Sequence, residues 1–214
     1  MKEQVNIKMG LGSAFDKSKL NLVKRDSFPY QGLWVWTGQQ GSGKTLSMMH
    51  VLCEMHKEFP NAIIVSNISI YGIPSIPYEG IEDFDNYANG EDGVIFVIDE
   101  IQTLFCSLES AKMPIEQIAV WSQNRKNRRV ILGTSQRFTR IAKPLREQVC
   151  LHYQCLPKIW NVHRYRVFDG SEYDENGNYT GEPQPTQFYF PRFDVMTKYN
   201  TLEVVRRKGV VRNE

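Results

Sequence analysis

Eight consecutive residues, Gly38, Gln39, Gln40, Gly41, Ser42, Gly43, Lys44 and Thr45, carry the strongest chemical signal in the chain. They satisfy the spacing G-x-x-x-x-G-K-[ST] in full. Glycines let a backbone curl until its N–H groups converge, and converging N–H groups attract phosphate oxygens. Lys44 adds a cation suited to β- and γ-phosphates. The Thr45 hydroxyl is a hard oxygen ligand of the kind Mg2+ takes. A helix starting here turns its positive end toward the same phosphates. The expectation is a loop that binds ATP together with Mg2+.

A second chemical group closes an apolar run. Gly93-Val-Ile-Phe-Val-Ile-Asp-Glu100 ends in two carboxylates. Asp99 is the residue expected to hold a Mg2+ water shell, as the acidic residue at the end of a buried strand does in nucleotide hydrolases. Glu100 is placed to orient or deprotonate an attacking water. Adjacent Asp and Glu favour hydrolysis over phosphoryl transfer to another acceptor. A third run, Arg129-Val-Ile-Leu-Gly-Thr-Ser-Gln136, puts Gln136 just past its end. If that strand lies beside the Asp99 strand, Gln136 is expected to face the γ-phosphate or the water.

These groups need elements to position them. Residues 32–37 read as a short strand, 45–58 as a helix, 62–66 as a second strand and 71–92 as a loop region with one short helix. Residues 93–98 and 129–134 are continuous apolar runs, as expected of strands buried on both faces of a parallel sheet. Residues 114–127 read as a helix with Pro114 at its start. A short helix over 138–147 and a strand over 149–153 follow. Past 156 the pattern changes to a long-looped β-hairpin and a basic tail. The predicted organisation is an N-terminal arm (1–30), an α/β core (31–156) with helices on both faces of a mainly parallel sheet, and a hairpin extension with tail (157–214).

Composition narrows the class. Apolar residues make up 41% of the 214, charged residues 23%, and the formal net charge is +2. That is the balance of a globular domain whose total charge does not announce a nucleic-acid binder. The four cysteines, Cys53, Cys106, Cys150 and Cys155, lack C-x-x-C spacing and read as small core residues in a reducing compartment. Along a strand, Cys150 and Cys155 fall on opposite faces. No apolar run reaches the ~18–20 residues that span a bilayer. No secretory signal opens the chain. The expected location is the cytoplasm of a host cell or the virion.

The motifs in order are Trp36-Thr-Gly-x-x-Gly-Ser-Gly-Lys-Thr45, Val65-Ser-Asn-Ile68, Val97-Ile-Asp-Glu-Ile-Gln102, Trp121-Ser-Gln-Asn-Arg125, Gly133-Thr-Ser-Gln136, Arg146 and Tyr199-Asn-Thr201. Over residues ~32–203 this order resembles the zonula occludens toxin-like family, the assembly and extrusion ATPases of filamentous phages. More distantly it is similar to the FtsK–HerA superfamily of DNA-pumping ATPases. The resemblance implies a P-loop NTPase fold of the additional-strand, catalytic-glutamate type. It implies ATP hydrolysis coupled to moving DNA or assembling a virion, and action as a homo-oligomeric ring. Lys44, Thr45, Asp99, Glu100 and Gln136 fall on the family's motif positions. Filamentous-phage members usually carry a transmembrane helix after this domain, and its absence before residue 214 favours packaging over extrusion.

Between Ser122 and Arg146 there are eight basic residues and no acidic one. DNA phosphates, a γ-phosphate in a neighbouring subunit, and ion pairs on a solvated face are three competing uses. Arg125, Arg128 and Arg146 are the arginine-finger candidates. The leading expectation is a viral DNA-packaging or translocating motor. The alternative is an ATP-binding assembly factor or scaffold that moves no DNA and works with a capsid or membrane partner.

Overall fold

A computed structural model describes residues 27–103 and 127–200. The arm at 1–26, the helix expected at 114–127 (apart from its last residue), Arg125 and the tail from 201 lie outside the described residues.

Strand β1 (Gly32–Thr37) runs into the glycine loop, which opens helix α1 (Lys44–Glu58). Strands β2 (Ile63–Ser66) and β3 (Ile76–Pro77) follow, then the one-turn helix α2 (Asp83–Asn86) and strand β4 (Val94–Ile98). Strand β5 (Arg129–Ser135), helix α3 (Lys143–Arg146) and strands β6 (Val149–Ile159), β7 (Val162–Asp169) and β8 (Gln187–Tyr189) come next, and helix α4 (Phe193–Met196) is last. All eight strands form one sheet in the order β3-β2-β4-β5-β1-β6-β7-β8. Every pairing from β3 across to β6 is parallel, and β6–β7 and β7–β8 are antiparallel.

The apolar runs behave as double-sided burial requires. Every residue of β4 and of β5 is buried. Two cores flank the sheet, as expected of helices on both faces. One gathers Leu46, Met48, Met49 and Leu52 of α1 against Trp36, Val97 and Leu132. The other gathers Phe84 of α2 and Leu145 of α3 against Leu33, Val35 and Phe96. Trp36 anchors the first core beneath the loop. Its ring stacks on Tyr153 at 4.4 Å, and its indole N–H donates to the Ser47 hydroxyl at 3.0 Å.

The expected hairpin exists, but as a continuation of the same sheet. The boundary anticipated at 156 falls inside β6, an 11-residue strand that carries Pro157 near its end. Leu156 pairs with Arg164 and Cys155 with Tyr165, so β7 is bonded to β6 from Leu151 to Ile159, with a shift of register past Leu156. The short helix expected over 138–147 is a 3-10 turn at Phe138–Arg140 followed by α3. Pro144, at the start of α3, fits its first turn. As the alternation implied, Cys155 is buried and Cys150 exposed. Among the described residues no helix is long and apolar enough to cross a membrane.

Candidate active site

The strand order builds the site. Gly32 pairs with Val130 and Ile98 with Gly133, so β5 lies between the loop-bearing strand β1 and the Asp99-bearing strand β4. Three parallel strands therefore end side by side at Thr37, Asp99 and Ser135. Ligands of open α/β sheets bind at this edge.

The loop has the backbone its sequence requires. Gly38, Gly41 and Gly43 have φ of 150°, 77° and 86°. Gly43 precedes the first turn of α1, which carries no side-chain cap and no acidic residue. Its first N–H groups are left for an anion. Lys44 donates to the Gln39 carbonyl at 3.2 Å, which bends its ammonium back across the loop. Two glycines also admit close neighbours. A Cβ on Gly43 would lie 2.1 Å from His163 Nδ1, and one on Gly38 would lie 2.4 Å from the Cys155 carbonyl oxygen. The loop is thus walled by β6 and β7.

Asp99 is the hub. Its Oδ1 accepts from Thr45 Oγ1 at 2.9 Å and from Thr134 Oγ1 at 2.7 Å. Its backbone is clasped by Asn67, whose Oδ1 accepts from the Asp99 N–H at 2.8 Å and whose Nδ2 donates to the Asp99 carbonyl at 2.9 Å. Segments from β2, α1 and β5 converge on this one residue at the end of β4, two on its carboxylate and one on its backbone. Thr45 and Asp99 together offer the oxygen donors that suit a hard divalent cation.

Glu100 is held in an uncommon backbone. Its φ is 53°, the left-handed region that non-glycine residues rarely occupy. Its N–H donates to Thr134 Oγ1 at 2.9 Å, and its carboxylate accepts a short hydrogen bond from the Gln102 amide. The turn swings Glu100 off the line of β4 and fixes it one hydroxyl away from Asp99.

The other sequence candidates are placed differently. Gln136 lies just beyond β5, exposed, with its Oε1 accepting from Arg140 Nη1 at 2.6 Å. Arg146 does not join the Asp99 group. Its guanidinium donates to the carbonyls of Thr139 at 3.1 Å, Ile141 at 3.2 Å and Glu175 at 3.4 Å. Arg128 lies 3.8 Å from Glu91. Arg129, only 1% exposed, sits over the Phe96 ring, and Lys143 pairs with Glu175 at 2.9 Å. Much of the basic segment's described charge is therefore spent within the molecule.

Sequence reasoning gave no role to Thr134, Asn67 or Gln102, although each stood inside a quoted motif. It also missed Tyr199. Main-chain pairing of Ile70 with Tyr199 brings the 198–200 segment back beside the loop that follows β2. Burial and the Asp99 carboxylate push the Tyr199 phenol up to about 12. Beside the loop, burial pushes the Cys155 thiol up to about 12, with Lys44 opposing, and lowers His163 below the usual histidine range. Under β1, Thr37 Oγ1 lies 2.6 Å from His152 Nε2, and the Tyr173 hydroxyl makes a short hydrogen bond to Nδ1.

Comparison with known proteins agrees with this geometry. The fold is similar to the N-terminal domain of zonular occludens toxin from Neisseria meningitidis, at 16% identity and a TM-score of 0.60, covering 79% of this chain and 99% of that one. It is also similar to the genome packaging NTPase B204 from Sulfolobus turreted icosahedral virus 2 in complex with ATP-gammaS, at 12% identity and a TM-score of 0.52, covering 79% and 99%. B204 from Sulfolobus turreted icosahedral virus matches at 13% identity and 0.51, covering 75% and 98%. Curated protein sequences give no match. The model of one family spans residues 35–155, from the middle of β1 through the loop, the Asp99 strand and most of β6. A phosphate loop backed by a carboxylate pair, within that matched span, makes this chain an ATPase, and it belongs to the ATPase family associated with various cellular activities (AAA).

Proposed function

We propose that this ATPase is a Mg2+-dependent motor that works as a homo-oligomeric ring and moves DNA, of the kind that packages a viral genome. The observation that carries the hydrolytic part is the shared hydroxyl of Thr134, which bonds the Asp99 carboxylate and the Glu100 backbone at once. In this reading Lys44 and the loop N–H groups hold the phosphates. Thr45 and Asp99 hold Mg2+, which neutralises phosphate charge when bound. Glu100 takes the proton of the attacking water, and Gln102 sets the direction of its carboxylate. Gln136, poised on Arg140, reaches the γ-phosphate once Arg140 releases it. The finger candidates that remain are Arg125 and Arg128, because Arg146 is occupied by carbonyls. The DNA part is supported by the fold shared with B204, described as a genome packaging NTPase. Cytoplasmic or virion placement, with a capsid or membrane-protein partner, belongs to the same proposal.

The test has two arms. Glu100→Gln keeps the shape of the side chain and removes the base. Steady-state ATPase is expected to fall by roughly 10²–10⁴ while ATP-analogue binding persists. Undiminished turnover removes Glu100 from the role. Adding DNA is expected to raise the ATPase rate of the intact protein in a salt-sensitive way. An assembly scaffold hydrolyses at one rate with or without it.

A further inference from the structure

The β6–β7–β8 extension has two unlike faces, set by strand alternation. On one, His163, Tyr165 and Tyr189 are buried. The His163 and Tyr189 rings lie 5.1 Å apart, His50 of α1 is 6.0 Å from Tyr189, and His163 is against Gly43 of the phosphate loop. On the other face Arg164 pairs directly with Phe188 across β7–β8, and Arg166 is the next residue along that face. Phe188 is 63% exposed, and Trp160, at the β6–β7 turn, is 94% exposed. Gln154 pairs with Thr37 in β1, so the strands beyond it, with this open face, rise past the level of the loop.

The charge at the turn end of the β6–β7 hairpin is of one sign. Residues 156–168 contain Lys158, Arg164 and Arg166 and no Asp or Glu. Among the described residues none of the three is in an ion pair. The Arg164 guanidinium donates twice to the Pro157 carbonyl, at 3.1 and 2.8 Å, and Arg166 Nε donates to Thr186 Oγ1 at 3.2 Å, so both heads are braced on the sheet. Trp160 stands on a backbone with φ of 55°, which holds the indole at the tip. Exposed aromatic rings between unpaired cations on a β surface meet the two needs of a single strand, a plane for each base and a charge for each phosphate.

We propose that this open face, comprising Lys158, Trp160, Arg164, Arg166 and Phe188, binds single-stranded nucleic acid, and that His163 on the opposite face carries its engagement to the phosphate loop. The proposal rests on the DNA reading above and assigns it a surface. Occupation of the open face shifts β7, and His163 rides on β7 against Gly43.

The experiment measures anisotropy of a fluorescein-labelled oligothymidylate of about 20 nucleotides, and of a duplex of equal length, across a salt series. Trp160→Ala and Phe188→Ala are expected to weaken oligothymidylate binding at least tenfold with an unchanged salt slope. Arg166→Ala is expected to lower that slope by about 0.7, the loss of one phosphate contact on a single strand. Oligothymidylate-stimulated ATPase should fall in parallel in the aromatic variants. Thermal melts confirm that each variant is folded. If the parent binds DNA and the variants bind equally well, the platform is wrong and the DNA reading stands. If the parent binds neither oligonucleotide, both fall. If the variants change only the molecular mass in light scattering, the face is a subunit contact and the proposal is overturned.

Discussion

Thr134 places one oxygen between the two carboxylate residues, donating to Asp99 and accepting from the Glu100 N–H. Replacing it with valine keeps the shape and removes both bonds. The Thr134→Val variant is expected to lose about 1–3 kcal/mol of stability, read by thermal or denaturant unfolding, because a part-buried N–H is left unmatched. Its ATPase rate should fall about tenfold or more, since Glu100 loses the anchor that holds its left-handed backbone. Thr134→Ser should restore most of both. At this scale the sequence was legible where a motif is contiguous. Residues 38–45 and 99–100 declare themselves because neighbours in the chain do the chemistry. Thr134 and Asn67 did not, because their roles exist only once β5 and β2 lie beside β4. Arg129 misled in the opposite sense, reading as surface charge when it lies buried over Phe96.

Among the elements, β1 and α1 are joined by a loop whose wall is β7. Gly43 has φ of 86° and faces His163, so it tolerates no side chain on either count. Gly43→Ala is expected to lower ATP-analogue affinity at least tenfold in a titration. Adding His163→Ala removes the clash but not the backbone strain, so recovery should be partial. Full recovery would make steric contact the whole cause. The apolar runs of β4 and β5 were readable as strands because burial on both faces leaves no polar interruption. The outer strands were less so. β6 runs on through Pro157, and a change of composition at 156 looks like a boundary when it marks only the passage from parallel, doubly covered strands to antiparallel ones with an open face.

For the whole molecule, acid is a simple probe of the buried group at His152. Burial pushes His152 down to about 3 from an ordinary value of 6.5, so the folded protein holds it neutral. Between those values the unfolded chain binds the extra proton. The contribution is fully present above about pH 6.5 and is lost as pH falls toward 3. Near pH 4.5 the loss is on the order of 3 kcal/mol. Melting temperature should therefore drop steadily from pH 7 to 4.5, and His152→Gln should flatten that dependence while lowering stability at pH 7. An unchanged slope would place the acid sensitivity elsewhere.

Strand β1 comes early in the chain but lies in the middle of the sheet, and it pairs with β5 and β6, made roughly a hundred residues later. On the ribosome, β1 therefore emerges well before either of the strands that flank it in the sheet. The phosphate loop comes into being only when Arg129–Ser135 and then Val149–Ile159 slide in on either side of β1. Nucleotide capture therefore waits until β6 and β7 have been made, and a chain that stops short of them is an unarmed one. The local β6–β7 hairpin, closed by a two-residue turn, forms quickly and supplies a ready edge for β1 to join.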